Sequence, residues 1–142
     1  MPKEIKQTWH FNQSPQEVWE YLTRPELIEQ WLMKNDFQPF VGHKFRFTFV
    51  PKNESKYDGV VECEVLEVTP LVKLSYSWNG SIKDGSRTFN SIVVWNLVPK
   101  ENGTELQLLH NGLTILEDML THDSGWKICL TRFEELLNPI ES

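Results

Sequence analysis

The order of the hydrophobic patterns constrains the fold of this chain more than any other feature. Several segments whose apolar residues recur at every second position are followed by one C-terminal segment whose apolar residues recur at helical spacing. Consecutive strands joined by short turns form an antiparallel sheet, and the apolar face of a single helix must be buried against that sheet. The sequence therefore predicts an α+β fold in which an antiparallel sheet curls around a long C-terminal helix.

The N-terminal part of the chain predicts one strand and a pair of short helices. Apolar and polar residues alternate over positions 5–11, which is typical of a half-buried strand. The next segment, 14–17, reads Ser-Pro-Gln-Glu and combines an N-cap serine, a proline at the first helical position and a glutamate at the third. This pattern predicts a helix over 15–23, and Pro25 begins a second one.

Five further strands are predicted between Gly42 and Asn111. They are centred on the ranges 45–49, 61–65, 74–78, 89–98 and 105–111. The fourth strand of the chain should end in a tight turn at Asn79-Gly80, since this dipeptide favours hairpin turns. The fifth strand, 89–98, is apolar on both faces, so we expect it to be central and covered on both sides, or to lie against a partner.

The C-terminal helix is expected to begin at Asp123 or Ser124, because either side chain can cap a helix, and to stop at Pro139. Hydrolase residue types occur at His122, Asp123 and Ser124, but adjacent residues rarely have triad geometry, so we interpret them as a capping segment. The apolar stripe of the helix consists of Trp126, Cys129, Leu130, Phe133, Leu136 and Leu137.

Charge and signal patterns narrow the classes of function. The chain has 142 residues, which predicts a single domain over 1–142, and its net charge of −6 without a basic patch argues against nucleic-acid binding. The N-terminus has no apolar signal region and the chain has no long apolar run, so we expect a cytoplasmic protein without a membrane segment. Cys63 and Cys129 lie within apolar patterns and are expected to be reduced thiols.

A sheet wrapped around a helix often leaves a gap, and an aromatic gap is a default small-molecule site. We expect eight residues to line this gap: Phe45, Phe47, Tyr76, Trp78, Trp95, His110, Trp126 and Leu130. His110 or Tyr76 would be the polar anchor of an apolar or aromatic ligand. A metal at Asp36 and His43 would need a third ligand that the sequence does not indicate. No catalytic set, metal site or cofactor motif is identified, so a non-enzymatic role is favoured.

The same residues resemble a known family almost from end to end. The chain is similar to the activator of heat-shock-protein-ninety ATPase homologue branch of the START-related, SRPBCC helix-grip superfamily. His43 departs from the pattern, because the family usually has a second glycine there. The resemblance is carried by Ser14-Pro15, Val18-Trp19, Leu22-Thr23, Pro25-Glu26-Leu27, Gln30-Trp31, Val41-Gly42, Phe45, Phe47, Gly59, Val65-Leu66-Glu67-Val68, Pro70, Leu74, Tyr76, Trp78, Gly103-Thr104, Leu106, Leu108, His110, Gly125-Trp126 and Leu130.

The resemblance implies the helix-grip fold more directly than it implies a function. The superfamily includes lipid and hormone carriers and polyketide cyclases. Family proteins of this size resemble the C-terminal domain of the eukaryotic co-chaperone without its N-terminal domain, so chaperone activation is not implied. Three hypotheses follow: a small-molecule binding module, an adaptor that binds another protein, and a cyclase- or hydrolase-like enzyme. Whether the chain forms a homodimer or has a protein partner stays open.

Overall fold

The computed structural model describes residues 4–51 and 56–138. Its elements confirm the predicted order of one strand, a short helix pair, a run of strands and a long helix. In chain order they are β1 (Glu4–Phe11), α1 (Pro15–Thr23), α2 (Pro25–Trp31), β2 (Lys34–Asn35), β3 (Lys44–Thr48), β4 (Tyr57–Thr69), β5 (Lys73–Ile82), β6 (Thr88–Lys100), β7 (Gly103–Asn111) and α3 (Leu116–Leu137).

The strands form one curled antiparallel sheet in the order β1-β7-β6-β5-β4-β3-β2. The first strand pairs with the last one, so that Ile5 lies opposite His110. In the middle of the sheet Trp95 lies between Leu74 and Leu108, and all three side chains are buried. The inward positions of neighbouring strands thus form continuous apolar rows, against which the long helix packs.

The helix pair confirms the local signals of the sequence. The Ser14 hydroxyl accepts a hydrogen bond from the Glu17 backbone N–H at 3.3 Å, and α1 covers the predicted residues. At the end of α2, the indole of Trp31 packs on Phe133 of α3 with 4.8 Å between ring centroids and on Trp95 of the sheet at 5.8 Å. Trp31 therefore joins the helix pair, the long helix and the sheet in one core.

The predicted start of the C-terminal helix is wrong. Helix α3 begins at Leu116, and Asp123 and Ser124 lie inside it. Ile115 precedes the helix without a side-chain cap, while Glu117 and Asp118 supply negative charge in the first turn, where the helix dipole favours it. The end of the helix at Leu137 is described, but Pro139 lies outside the described residues.

One prediction about the strands is also wrong, and another is confirmed in part. Strand β5 continues through Asn79-Gly80 to Ile82, because Gly80 pairs with Phe89 of β6 in the sheet. Strand β6 lies in the interior of the sheet, which confirms its predicted central position. The described residues cover only one of its faces, and Ile92 on the other face is 42% exposed, so cover by a partner stays a prediction. Position inside a sheet protects the backbone of a strand, while cover on a face depends on another layer.

Candidate ligand site

An apolar pocket lies between the N-terminal half of α3 and one end of the sheet. Its cavity volume is about 180 Å³. The sheet contributes the start of β4, the end of β5 and the start of β6, and Leu32, Met33 and Phe49 complete the wall. Helix α3 contributes Thr121, His122, Gly125, Trp126 and Cys129, which lie on one face of the helix.

Two of the eight expected lining residues lie on this wall, namely Trp78 and Trp126. The other six are buried in the packed core beside the pocket: Phe45, Phe47, Tyr76, Trp95, His110 and Leu130. The Tyr76 hydroxyl, one of the expected polar anchors, accepts a hydrogen bond from Trp95 Nε1 at 2.9 Å, and burial raises its pKa. The interior of the sheet is thus closed at its centre and open at one end.

His110, the other expected anchor, is fully buried and bonded on both ring nitrogens. Trp126 Nε1 donates to His110 Nδ1 at 2.9 Å, so the ring proton must be on Nε2. Nε2 then donates to Ser91 Oγ at 2.8 Å, and Ser91 Oγ donates to the Trp78 carbonyl oxygen at 2.6 Å. Burial and the nearby His122 lower the pKa of His110 to about 3. The neutral ring therefore joins α3 to three strands and leaves no nitrogen for a ligand.

His122 also lines the pocket, although it is not among the eight residues that the sequence predicts there. Trp78 Nε1 donates to His122 Nε2 at 3.2 Å, so Nδ1 carries the proton and donates to the Asp118 carbonyl oxygen at 2.8 Å. Burial lowers the pKa of His122, which keeps the ring neutral. Extending the predicted helix upstream would have found this residue, because His122 is one helical turn before Trp126 and shares its face.

A polar cluster fixes the first turn of α3 beside the pocket. The buried Asp118 carboxylate accepts hydrogen bonds from the Tyr57 hydroxyl and from Arg87 Nη2, each at 2.8 Å. The pKa of Tyr57 is raised mainly by its burial and, to a smaller extent, by the neighbouring Asp118. Lys56 pairs with Glu117 at the surface of the same turn. These contacts connect the start of β4 and the segment before β6 to the helix that forms one pocket wall.

Gly125 occupies an unusual position for its residue type. A glycine inside a helix is less favourable than alanine by about 1 kcal/mol. This one lines the pocket, and a Cβ atom added to it would meet no other heavy atom within 4 Å. Close packing therefore does not account for the missing side chain. Its absence leaves free space at the pocket wall.

The other candidate groups of the sequence do not form a reactive site. His43 Nε2 contacts the backbone oxygen of Asp36 at 2.9 Å, while the Asp36 carboxylate accepts the backbone N–H of Arg46. Asp123 accepts a hydrogen bond from the side chain of Gln7 at 2.9 Å. Within residues 4–51 and 56–138, no three His, Cys, Asp or Glu side chains are grouped closely enough to hold a metal ion.

Two further observations concern the cysteines and the helices. Cys63 and Cys129 are free thiols, and burial raises the pKa of each. None of the helices in the described part of the chain is long and apolar enough to cross a membrane.

Comparison with known proteins gives a family and several structural neighbours. A family model described as "Activator of Hsp90 ATPase homolog 1-like protein" matches residues 12–138. A search of curated proteins found no match for the sequence.

The fold is shared with solved bacterial structures. Protein MLL2253 from Mesorhizobium loti is 34% identical, with a TM-score of 0.85 over 98% of this chain and 99% of its own. Protein BH1534 from Bacillus halodurans is 27% identical, with a TM-score of 0.73 over 96% of this chain and 97% of its own. CalU16 from Micromonospora echinospora is 21% identical, with a TM-score of 0.70 over 96% of this chain and 75% of its own. The likeness to CalU16 is one of fold.

Proposed function

The chain belongs to the family of activator of Hsp90 ATPase homolog 1-like proteins, and from this premise we propose that it binds an apolar or aromatic small molecule. The observation that carries the proposal is the apolar pocket of about 180 Å³ between α3 and the sheet. Its aromatic walls, at the junction of the helix with the strands, are of the kind that small-molecule sites use.

The volume of the pocket is informative about this proposal. Ligand pockets usually have about 300–1,000 Å³, so a volume of about 180 Å³ is small. An engineered apolar cavity of about 150 Å³ nevertheless binds benzene. The space in this protein therefore suits a small ligand, and a larger one would require the walls to move.

The energetic cost of an unfilled pocket supports the same proposal. Cavities in protein cores cost about 24 cal/mol per Å³. A closed void of about 180 Å³ would thus cost on the order of 4 kcal/mol, and a half-open one costs less. Gly125 lowers the stability of the folded chain further, since alanine at this position would favour the helix and fill part of the space. Such a cost is understandable if the pocket serves to hold a ligand.

Tryptophan fluorescence provides a direct test, because Trp78 and Trp126 lie on the wall. We expect at least one saturable binder in a panel of substituted benzenes, flavonoids, fatty acids and polyketide-like aromatics. The Gly125→Leu variant should block binding, since its side chain would occupy the pocket. Ser124→Leu is the matched control, because Ser124 is exposed and does not line the pocket. Absence of any binder, or equal affinity of Gly125→Leu, would contradict the proposal.

A protein-interaction adaptor is the second candidate. It is favoured by the exposure of large apolar side chains on α3, where Leu116 is 68%, Leu120 59% and Ile128 61% exposed. The family description directs the test to one partner, the Hsp90 chaperone. An adaptor of this kind should change the ATPase rate of Hsp90, and Leu120→Glu should remove the effect. An unchanged ATPase rate on addition of the wild-type chain would rule out Hsp90 as the partner of this candidate.

A further inference from the structure

The outward face of α3 exposes large apolar side chains to solvent. Leu116 is 68% exposed, Leu120 59% and Ile128 61%. These residues, with Ser124 among them, recur at every fourth position, so they form one continuous ridge along the helix surface. A row of large exposed apolar residues on a protein surface is typical of an interaction site.

A shallow depression lies beside the C-terminal part of this ridge. Its lining residues are Lys127, Ile128, Thr131, Arg132 and Glu135. Most of the lining surface is apolar, because long charged side chains also present their aliphatic stems. Leu120 is about 12 Å from Ile128 along the helix axis, since the rise is about 1.5 Å per residue. One surface of one helix therefore carries both a protruding leucine and an apolar depression.

A protrusion and a depression on the same surface are self-complementary when two copies meet about a twofold axis. An axis through Ser124 places Leu120 of each copy against Ile128 of the other, because both residues are four positions from Ser124. Both contacts then form together, and the pair leaves neither ridge uncovered. Ser124 is small and exposed, so the two helices can approach closely where they cross.

The charges on this face favour an antiparallel pair. Glu117 lies in the first turn of α3, whereas Lys127 and Arg132 border the depression. In an antiparallel pair the acidic start of one helix lies over the basic segment of the other, and a parallel pair would place like charges side by side. Lys56 already pairs with Glu117, and Asp123 with Lys127, so these exposed charges determine direction more than affinity.

We infer that α3 is a self-association surface, through which two copies of this chain form an antiparallel dimer with twofold symmetry. The inference is independent of the proposed function, because the ligand pocket faces the sheet and the ridge faces solvent. Each copy contributes a single helix, which places the contact among the small interfaces. The dimer is therefore weak, with a dissociation constant in the micromolar range.

Sedimentation equilibrium of the full chain at about 1 to 300 μM tests the self-association. The apparent mass should rise with concentration from the 16.7 kDa of one chain towards twice that value. Leu120→Lys places a cation beside Lys127 and Arg132 of the other copy, so it should weaken dimerisation by about tenfold or more.

Leu66→Lys is the matched control for this variant. Leu66 is 42% exposed and lies in β4, outside α3, so the same chemical change should leave the association constant unchanged. Because both positions are exposed, both variants should fold, and circular dichroism should show the wild-type helix and strand content.

Cysteine cross-linking tests the antiparallel direction. The two Ser124 residues meet at the axis, so Ser124→Cys should form a disulfide-linked dimer on oxidation. The two Thr131 residues lie about 21 Å apart along the helix axis, since each is seven positions from the axis, so Thr131→Cys should not cross-link. The wild-type chain, in which Cys63 is buried and Cys129 is half-buried, gives the background.

Three results would overturn the inference. One is a constant mass of 16.7 kDa up to the highest concentration, which would leave the ridge to a different protein. The second is equal association of Leu120→Lys and the wild-type chain. The third is cross-linking of Thr131→Cys without cross-linking of Ser124→Cys. None of these measurements involves a ligand of the pocket, so each leaves the proposed binding function standing.

Discussion

Replacement of Gly125 by alanine separates a structural role of this residue from a ligand-binding role. In the interior of α3, alanine should stabilise the helix by about 1 kcal/mol relative to glycine. No heavy atom lies within 4 Å of the added Cβ, so no clash offsets this gain. For a chain of 142 residues, this gain corresponds to an increase in Tm of about 3 °C. The added methyl group also narrows the pocket, so affinity for p-xylene should decrease while stability increases.

Urea denaturation and calorimetric titration of the same variant provide the assay for Gly125→Ala. Ser124→Ala is the control, because Ser124 is also inside α3 but does not line the pocket. It should stabilise the helix by about half as much and leave the affinity unchanged. A lower urea midpoint for Gly125→Ala would refute the reasoning about free space. A higher midpoint with unchanged affinity would show that the space at Gly125 does not serve the ligand.

Three further predictions concern the contacts around the pocket. Trp126→Ala removes a buried indole and the hydrogen bond to His110, so the free energy of unfolding should fall by about 3–5 kcal/mol. An unchanged urea midpoint would mean that the packed face of α3 is wrongly assigned. The pKa of His110 is lowered from 6.5 to about 3, so on acidification this side chain is protonated in the unfolded chain before it is protonated in the folded one. The contribution of His110 to the free energy of unfolding should therefore be complete above pH 6.5 and should fall between pH 6.5 and 3 by about 1.4 kcal/mol per pH unit. His110→Gln should reduce this slope in urea midpoints measured against pH, and an equal slope would contradict the assignment. Tyr57→Phe removes one hydrogen bond to the buried Asp118, so thermal unfolding should show a loss of about 1–3 kcal/mol with p-xylene affinity kept, and a large loss of affinity would give the hydroxyl a direct role in binding.

Local signals predicted those parts of the fold that local chemistry determines. Ser14 and Pro15 define the start of α1 through one hydrogen bond and one fixed backbone angle, and neither depends on the rest of the chain. The alternation in β7 likewise places Leu106 and Leu108 on the buried face. The curled sheet around a long helix followed from the order of such segments.

Features that depend on contacts between distant residues were not predictable in the same way. Helix α3 starts without a cap, and its first turn is fixed by Tyr57 and Arg87, which are far away in the sequence. Asn79-Gly80 has the composition of a turn, but Phe89 packs over the glycine and keeps it in a strand. In both cases a tertiary contact outweighed the local preference.

The pocket lies at the junction of sheet and helix, where two of the eight residues expected to line a gap are on its wall, and their role in binding a ligand stays a prediction. Inward-facing aromatic residues could be identified from the alternation, yet which of them pack together and which border a gap depends on the curvature of the sheet. Phe45 and Tyr76 contact each other at a centroid distance of 5.3 Å and close the centre. The pocket lies at the end of the sheet instead, where His122 and Gly125 of α3 share its wall with Trp78. Gly125 lies in the predicted part of the helix, and His122 lies in the part before the predicted start.

The location of a bound ligand tests the central claim most directly. A crystal of the protein grown with 4-bromotoluene, which has the shape of p-xylene, would give an anomalous signal from the bromine atom. We predict a bromine peak inside the pocket, between Trp126 and Phe89 and beside Gly125. A structure in which this pocket contains no bromine at saturating ligand concentration would contradict the account.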